Sequence, residues 1–168
     1  MSEFLGSFVV LYFYPKDDTP GCTAEACSFR DDYSEYEKAG LQILGISVDT
    51  QKSHAKFKEK YQLPFPLLSD VDHAVCEKYG VWALKKMMGR EYYGILRTTY
   101  LISKNGKILK VFENVKPAGH SQEILAIFKI IGLSQLTVFT IEGLPAFYLY
   151  PIIAQDGSNS ADLVKKNG

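Results

Sequence analysis

The sequence predicts an α/β fold with a mixed central sheet flanked by helices. Residues 8–14 form a continuous β-branched and aromatic run that ends at Pro15, and residues 41–48 form a second apolar run of the same kind. The residues between the two runs carry an apolar stripe at helical spacing. Strand, helix, strand in this order implies a right-handed parallel crossover. The Asn-Gly pair at residues 105–106 instead predicts an antiparallel hairpin.

Local signals predict the remaining elements. Thr50 and Asp72 are residue types that cap helices at their N-termini, and Gly40 and Gly80 are typical helix stops. The expected elements are a helix over residues 23–38, a helix from Thr50 to residue 61, a short helix from Asp72 to residue 79, hairpin strands at 98–102 and 107–112, and a last helix over 121–131. Parallel strands first, a hairpin later and helices between them are typical of a thioredoxin-like fold.

Length and composition favour one domain followed by a tail. The chain has 168 residues, of which 46% are hydrophobic, so it can bury a core as a single domain. Residues 1–133 are expected to form this thioredoxin-like domain. Residues 134–168 are expected to form an atypical tail, apolar at first and disordered at its polar end. Its apolar part carries Glu142 and two prolines and falls short of the roughly 20 residues of a membrane span.

Charge and cysteine usage exclude several classes of protein. Nineteen basic and nineteen acidic residues give a formal net charge of zero, and Lys85, Lys86 and Arg90 are interpreted as a solvated loop, which disfavours nucleic-acid binding. Three cysteines and three histidines fit neither a disulfide scaffold nor a zinc site, and the histidines are expected at the surface. The first apolar run lacks the flanks of a signal peptide. We expect a cytoplasmic protein with one or two reactive thiols.

Cys22 is the candidate nucleophile. Residues 15–22 (PKDDTPGC) connect the first strand to the first helix and place Cys22 at or near the N-terminus of that helix. Unpaired backbone N–H groups at this position favour the thiolate, which is the reactive form. Pro20 and Gly21 predict a tight turn that lets the backbone approach a ligand above the sulfur. The alternative is a cysteine that is merely buried.

Cys27 lies five residues after Cys22. In an intact helix five residues rise about 7.5 Å, which puts the two Cα atoms about 9 Å apart. A disulfide tolerates at most roughly 7 Å. A permanent disulfide is therefore excluded if the helix forms, and a transient one requires the first turns to unwind. The alternative is two unrelated cysteines, with Cys27 packed against the core.

Residues 14–31 (YPKDDTPGCTAEACSFRD) closely resemble the active-site segment of peroxiredoxins. The resemblance is greatest to the peroxiredoxin Q, or bacterioferritin comigratory protein, subgroup. The family motif P-x-x-x-T/S-x-x-C falls on Pro15, Thr19 and Cys22. The resolving cysteine of the subgroup falls on Cys27.

Further motifs extend the resemblance over roughly residues 4–131. The catalytic arginine of the family falls on Arg97, in GILRTTYLI, and the segments GISVD, FPLLSD and KYGVW occur in the family order. Two features depart from the family pattern. Only seven residues precede Phe8, where the family usually carries a further segment, and the tail is additional. The tail either covers surface that this segment would cover or marks a truncated or read-through product.

The resemblance implies a thioredoxin-dependent peroxiredoxin that reduces hydrogen peroxide and organic hydroperoxides in antioxidant defence. Cys22 would become a sulfenic acid, and Cys27 would condense with it to a disulfide that an external dithiol, thioredoxin by resemblance, would reduce. Arg97 would stabilise the thiolate and the charge that develops on the leaving oxygen. Thr19 would hydrogen-bond to the peroxide, and Pro15 would shield the thiolate from water. The plainer alternatives are an ordinary ion pair for Arg97, a helix cap for Thr19 and the end of a strand for Pro15.

The resemblance also bears on partners and on competing functions. The sequence itself gives no reason to expect a metal or organic cofactor or a nucleic-acid or membrane partner, and we expect a monomer or weak dimer. A thioredoxin-fold disulfide reductase or isomerase is one alternative, disfavoured because the cysteines are not in a C-x2-C motif. A non-enzymatic holdase or an inactive remnant is the other, motivated by the short N-terminus and the tail.

Overall fold

Seven strands and five helices are found among the residues that the structure describes. The structure is a computed structural model, and it describes residue 4, residues 6–87 and residues 89–137. In chain order the elements are β1 (Phe8–Phe13), α1 (Pro20–Asp31), α2 (Tyr33–Lys38), β2 (Leu41–Ser47), α3 (Gln51–Tyr61), β3 (Leu67–Ser69), α4 (Ala74–Lys78), β4 (Trp82–Met87), β5 (Arg90–Ile95), β6 (Thr98–Ile102), β7 (Ile108–Phe112) and α5 (His120–Thr137).

The main sheet is mixed, as the sequence predicts. Its strand order is β3-β2-β1-β6-β7, with β1 in the centre. Strand β1 is parallel to β2 and antiparallel to β6, while β3 extends the parallel part and β7 the antiparallel part. Every residue of β1 after Phe8 is buried, which explains its continuous apolar run.

The two faces of β1 pack against different parts of the core. Leu11 and Phe13 belong to a cluster with residues of β2, β4, β5 and β6 on one face. On the other face the ring of Tyr12 lies 4.9 Å from the ring of Phe29 and 6.1 Å from that of Phe65. Phe29 is fully buried and belongs to α1, so this second face fixes α1 beside the C-terminal end of β1.

The first predicted helix consists of two helices in the structure. It begins at Pro20 rather than at residue 23, because proline is well suited to the first position of a helix, where no N–H is needed. Asp32, with φ −91° and ψ 2°, separates α1 from α2, so the single helix predicted over residues 23–38 is wrong. Pro20 and Gly21, where a tight turn was predicted, instead form the first turn of α1.

Two predicted caps have different outcomes. Thr50 caps α3, since its Oγ1 accepts a hydrogen bond of 3.3 Å from the backbone N–H of Ser53. The prediction that Asp72 caps the next helix is wrong, because α4 begins at Ala74 and its N-cap is His73. The amides of α4 are satisfied mainly by Asp70, whose carboxylate accepts from the N–H groups of Val75 and Cys76 at 3.0 and 2.8 Å.

The predicted hairpin is confirmed, and a second one was missed. Strands β6 and β7 pair antiparallel around a turn in which Gly106 has φ 79°. Strands β4 and β5 form a separate two-stranded ribbon. The interpretation of Lys85, Lys86 and Arg90 as a loop is therefore wrong, because all three lie in this ribbon.

The chain divides into two compact units, Met1–Lys129 and Ile130–Gly168. The candidate active site and the contacts of Asp17 lie in the first unit. The predicted domain boundary after residue 133 stays a prediction, because the predicted tail lies almost wholly outside the described residues. Among the residues that the structure describes, no helix combines the length and the apolar character needed to cross a membrane.

Candidate active site

Cys22 occupies the first turn of α1. Thr19 holds the N-cap position with extended backbone angles, and Pro20, Gly21 and Cys22 follow as the first three helical residues. The first bond of the helix runs from the N–H of Thr23 to the carbonyl of Thr19 at 2.8 Å. The N–H groups before it have no place in the helical ladder, so the field at Cys22 favours an anion. The Cys22 side chain is only 2% exposed.

Arg97 contacts the sulfur directly. Its Nη2 donates to Cys22 Sγ at 3.2 Å. Arg97 lies between β5 and β6, where its carbonyl accepts from the N–H of Val115 at 3.1 Å. A Cβ at Gly21 would lie 3.4 Å from Nη2, an ordinary contact distance, so the guanidinium packs directly against the first turn of α1. The structure thus brings together Cys22 and Arg97, which are far apart in sequence.

Glu25 completes the site and was not predicted from the sequence. Its side chain is fully buried, and its Oε2 accepts from Arg97 Nη1. Glu25 follows Cys22 by three residues, and residues at this spacing lie on one face of a helix. This spacing from Cys22 is visible in the sequence and could have identified Glu25 as a candidate site residue. The guanidinium therefore bridges a thiol and a carboxyl that α1 presents side by side.

The pKa values at the site reflect burial and this bridge. Burial raises the pKa of Glu25 to about 7, although Arg97 opposes the shift. Burial by itself would lower the pKa of Arg97, but the charges of Glu25 and Cys22 outweigh it and raise that pKa. Arg97 is therefore a permanent cation, and Glu25 is a carboxyl that gains and loses its proton near neutral pH.

Tyr12 closes the site from the β1 side. Its hydroxyl and Glu25 Oε1 are both buried without a hydrogen-bond partner among the described residues. Burial raises the pKa of Tyr12 strongly, and the charges of Glu25 and Cys22 add to the effect. Tyr12 thus stays neutral, and the wall of the site that it forms has a low dielectric, where the charges of Arg97 and a thiolate interact strongly.

Thr19 and Pro15 lie in the loop that leads into α1. Thr19 Oγ1 donates to the carbonyl of Lys16 at 3.0 Å and makes no capping bond to the helix. Since its proton is engaged, this hydroxyl offers an incoming peroxide an acceptor rather than a donor. Pro15 directly follows Tyr14 at the end of β1 and is half-buried. Its shielding role stays a prediction.

Cys27 belongs to the same uninterrupted helix as Cys22. All three cysteines are free, and Cys27 is partly exposed whereas Cys22 and Cys76 are buried. With both residues in helical conformation, their Cα atoms are about 9 Å apart, too far for a disulfide. The separation of Cys22 and Cys27 predicted from their spacing is therefore present in α1. The pairing of the two thiols itself stays a prediction.

Two of the three histidines are buried, contrary to expectation. The exposed fractions are 4% for His54 and 1% for His120. His120 Nε2 lies 2.9 Å from Thr99 Oγ1, and burial lowers the pKa of this imidazole. His54 contacts Asp17 in the loop before Cys22.

The sequence model of the AhpC/TSA family matches residues 1–111. The chain belongs to this family. It is a peroxiredoxin, that is, a thiol-dependent peroxidase whose chemistry uses cysteine and needs no bound cofactor.

Relatives place the chain near the Bcp peroxiredoxins. It is 54% identical over 125 residues to the putative peroxiredoxin Bcp of Coxiella burnetii, an alignment that covers 74% of this chain and 83% of that protein. It is 48% identical over 125 residues to peroxiredoxin Bcp of Escherichia coli, covering 74% of this chain and 80% of that protein.

A solved structure agrees with this placement. The bacterioferritin comigratory protein of Xanthomonas campestris, solved in a study of its alkyl peroxide reduction activity, superposes with a TM-score of 0.75 at 43% identity, covering 77% of this chain and 81% of that one. The thioredoxin-like fold predicted for the peroxiredoxin is thus confirmed.

Proposed function

We propose that Cys22 is the peroxidatic cysteine and that Cys27 resolves it in a two-cysteine peroxidase cycle. The observation that carries the proposal is the contact of 3.2 Å between Arg97 Nη2 and Cys22 Sγ in the first turn of α1. A guanidinium and a helix N-terminus both favour the thiolate over the thiol. Both act here on one sulfur.

In the first step the Cys22 thiolate attacks the terminal oxygen of the hydroperoxide. The S–O bond forms as the O–O bond breaks, giving a sulfenic acid and an alkoxide or hydroxide that takes up a proton and leaves as alcohol or water. Arg97 can stabilise the charge that develops on the leaving oxygen, because its donors are preorganised in a partly buried site. Thr19 accepts the hydrogen bond of the peroxide O–H, and Pro15 limits the access of water to the sulfur.

In the second step the Cys27 thiol attacks the sulfenic sulfur, forming a disulfide and releasing water. Because α1 holds the two residues too far apart, its first turns must unwind before the bond can form. Unwinding breaks the contacts that Arg97 makes with Glu25 and Cys22. It need not disturb the end of α1, which is anchored by buried Phe29 and by a bond of 2.9 Å from Arg30 Nη1 to the carbonyl of Tyr61.

An external dithiol of the thioredoxin kind then reduces the disulfide by thiol–disulfide exchange. We propose hydrogen peroxide and alkyl hydroperoxides as substrates. The alkyl peroxide reduction named for the Xanthomonas campestris protein supports the second class. A cytoplasmic location and a monomeric or weakly dimeric state remain our expectations, and light scattering tests the latter.

Peptide mapping by mass spectrometry tests the cycle. One equivalent of hydrogen peroxide should link Cys22 to Cys27 in the wild-type protein. In Cys27→Ser, the first turnover should persist while turnover with thioredoxin falls, and Cys22 should accumulate as sulfenic acid.

Cys76→Ser is the matched control, because Cys76 is fully buried in α4 on the other face of the sheet. It should change neither the linkage nor the turnover. A linkage that involves Cys76, or unchanged thioredoxin-dependent turnover in Cys27→Ser, would contradict the assignment of the resolving thiol.

A further inference from the structure

Within the loop of residues 15–19, Asp17 makes the buried side-chain contacts with the body of the domain. The Asp17 side chain is 4% exposed. Its Oδ1 accepts from the hydroxyl of Tyr14 at 2.7 Å, and its Oδ2 accepts from Ser53 Oγ at 2.7 Å. Its backbone N–H donates to Asp49 Oδ2 at 2.8 Å. These bonds join the loop to the ends of β1 and β2 and to the start of α3.

His54 of α3 makes the remaining contact with Asp17. Its Nδ1 lies 2.9 Å from Asp17 Oδ2, and its Nε2 lies 3.2 Å from the carbonyl oxygen of Leu68. Both ring nitrogens therefore face acceptors. A neutral imidazole has one N–H, so it can satisfy only one of them. The doubly protonated imidazolium satisfies both, and it also neutralises the buried carboxylate.

The charges around His54 favour this imidazolium. Its surroundings comprise Asp17 in the loop, Asp49 after β2, the Tyr14 hydroxyl at 3.3 Å and the Leu68 carbonyl of β3. Burial by itself would lower the pKa of His54, but the bond to Asp17 and the carboxylate charges outweigh it and raise that pKa. Burial would raise the pKa of Asp17, but the hydrogen bonds from His54, Ser53 and Tyr14 lower it.

The pair lies next to residues to which the proposed function gives a role. Two residues after Asp17, Thr19 is both the proposed acceptor for the peroxide and the N-cap of α1. A displacement of the loop would shift this hydroxyl and the first turn that presents Cys22. Displacements of about 1 Å can cost about 10²-fold in rate when they alter the reacting geometry.

We propose that Asp17 and His54 act as positioning residues for peroxide reduction, fixing the loop that presents Thr19 and Cys22 only while His54 is protonated. The inference rests on the proposed role of Cys22 and adds to it a second, distant determinant of rate. The pair is intact below the ordinary histidine pKa of about 6.5 and weakens as the pH rises through the raised pKa of His54.

Single-turnover oxidation by hydrogen peroxide, followed by stopped flow, tests the inference. Asp17→Asn removes the carboxylate charge and should lower the second-order rate constant by about tenfold or more. Asp18→Asn is the matched control: Asp18 is the next residue of the same loop, but its ion pair with Lys60 and its bond from the Tyr61 hydroxyl are exposed, and such surface contacts contribute little. It should change the rate constant less than about twofold.

The pH profile of His54→Gln separates positioning from simple packing. Any pH dependence that does not involve His54 is common to both proteins, so the ratio of the wild-type rate constant to that of His54→Gln isolates the contribution of His54. This ratio should fall by about tenfold between pH 6.5 and 9, because a charge-assisted bond is lost only from the wild type. If Asp17→Asn does not fold, as judged by its thermal melt, this ratio decides alone.

Two results would overturn the inference: equal rate constants for Asp17→Asn and Asp18→Asn, or a ratio that stays constant with pH. Cys22→Ser distinguishes these from failure of the proposed function. If Cys22→Ser still consumes peroxide, the role of Cys22 is wrong. If it is inactive while the ratio is constant, only the role of His54 is wrong.

Discussion

Replacing Glu25 by glutamine should remove a pH dependence from the stability of the domain. Glu25 is fully buried beside Arg97, and burial raises its pKa from the ordinary 4.5 to about 7. The folded protein therefore holds this proton more tightly than the unfolded chain does. The contribution to stability is full below pH 4.5 and is lost as the pH rises through about 7.

The magnitude follows from the size of this shift. One pKa unit corresponds to about 1.36 kcal/mol, so ionising the buried carboxyl costs about 3 kcal/mol once the pH is well above 7. Glutamine keeps an oxygen that can accept from Arg97 but cannot ionise. The difference in free energy of unfolding between Glu25→Gln and wild type should therefore rise, in favour of the variant, by about 3 kcal/mol from pH 5 to pH 9.

Urea unfolding at pH 5, 6, 7, 8 and 9 measures this difference directly. Glu59→Gln, at an exposed position of α3, is the matched control and should not reproduce this rise. A constant difference for Glu25→Gln would refute the reasoning, because it would mean that Arg97 offsets the cost of burial completely.

Three further experiments test other parts of the account. Arg97→Lys should lower the rate constant for peroxide by about 10²-fold in stopped flow, because a single ammonium cannot bridge the thiol and the buried carboxyl as the planar guanidinium does. Cys76 should resist maleimide in the native protein while remaining reactive in urea, since burial raises the pKa of this thiol. Gly45→Ala should lower the free energy of unfolding by about 1–3 kcal/mol, because the added Cβ would lie 2.7 Å from the buried Tyr12 ring. Gly132→Ala is the control and should not lower it, because nothing lies within 4 Å of the added Cβ.

The parts of the fold that sequence could predict are those fixed by local chemistry. Strands β1 and β2 are buried on both faces and read as apolar runs. The β6–β7 hairpin has the Asn-Gly pair that its turn requires. Strand β3 has three residues, and its pairing with β2 is a tertiary contact, so no local pattern reveals it. In β5, four successive exposed residues remove the alternation that marks a half-buried strand.

The candidate site also contains residues that the sequence could identify and residues that only the tertiary structure brings together. Cys22, Thr19 and Cys27 stand in one contiguous segment, which a motif can identify. The contact of Arg97 with the sulfur depends on the position of β6 beside β1, and without the family resemblance its residue type alone would have suggested a surface ion pair. The burial of His54 could not be predicted from α3, because it results from the packing of a distant loop that carries Asp17.

The rate at which Cys22 alone reacts with peroxide tests the central claim most directly. In the double variant Cys27→Ser/Cys76→Ser, Cys22 is the only thiol left. Stopped flow with hydrogen peroxide at neutral pH should show a single turnover at least about 10³-fold faster than the reaction of free cysteine, because Arg97 and the helix N-terminus activate the thiolate and stabilise the leaving oxygen. A rate constant no greater than that of free cysteine would contradict the account.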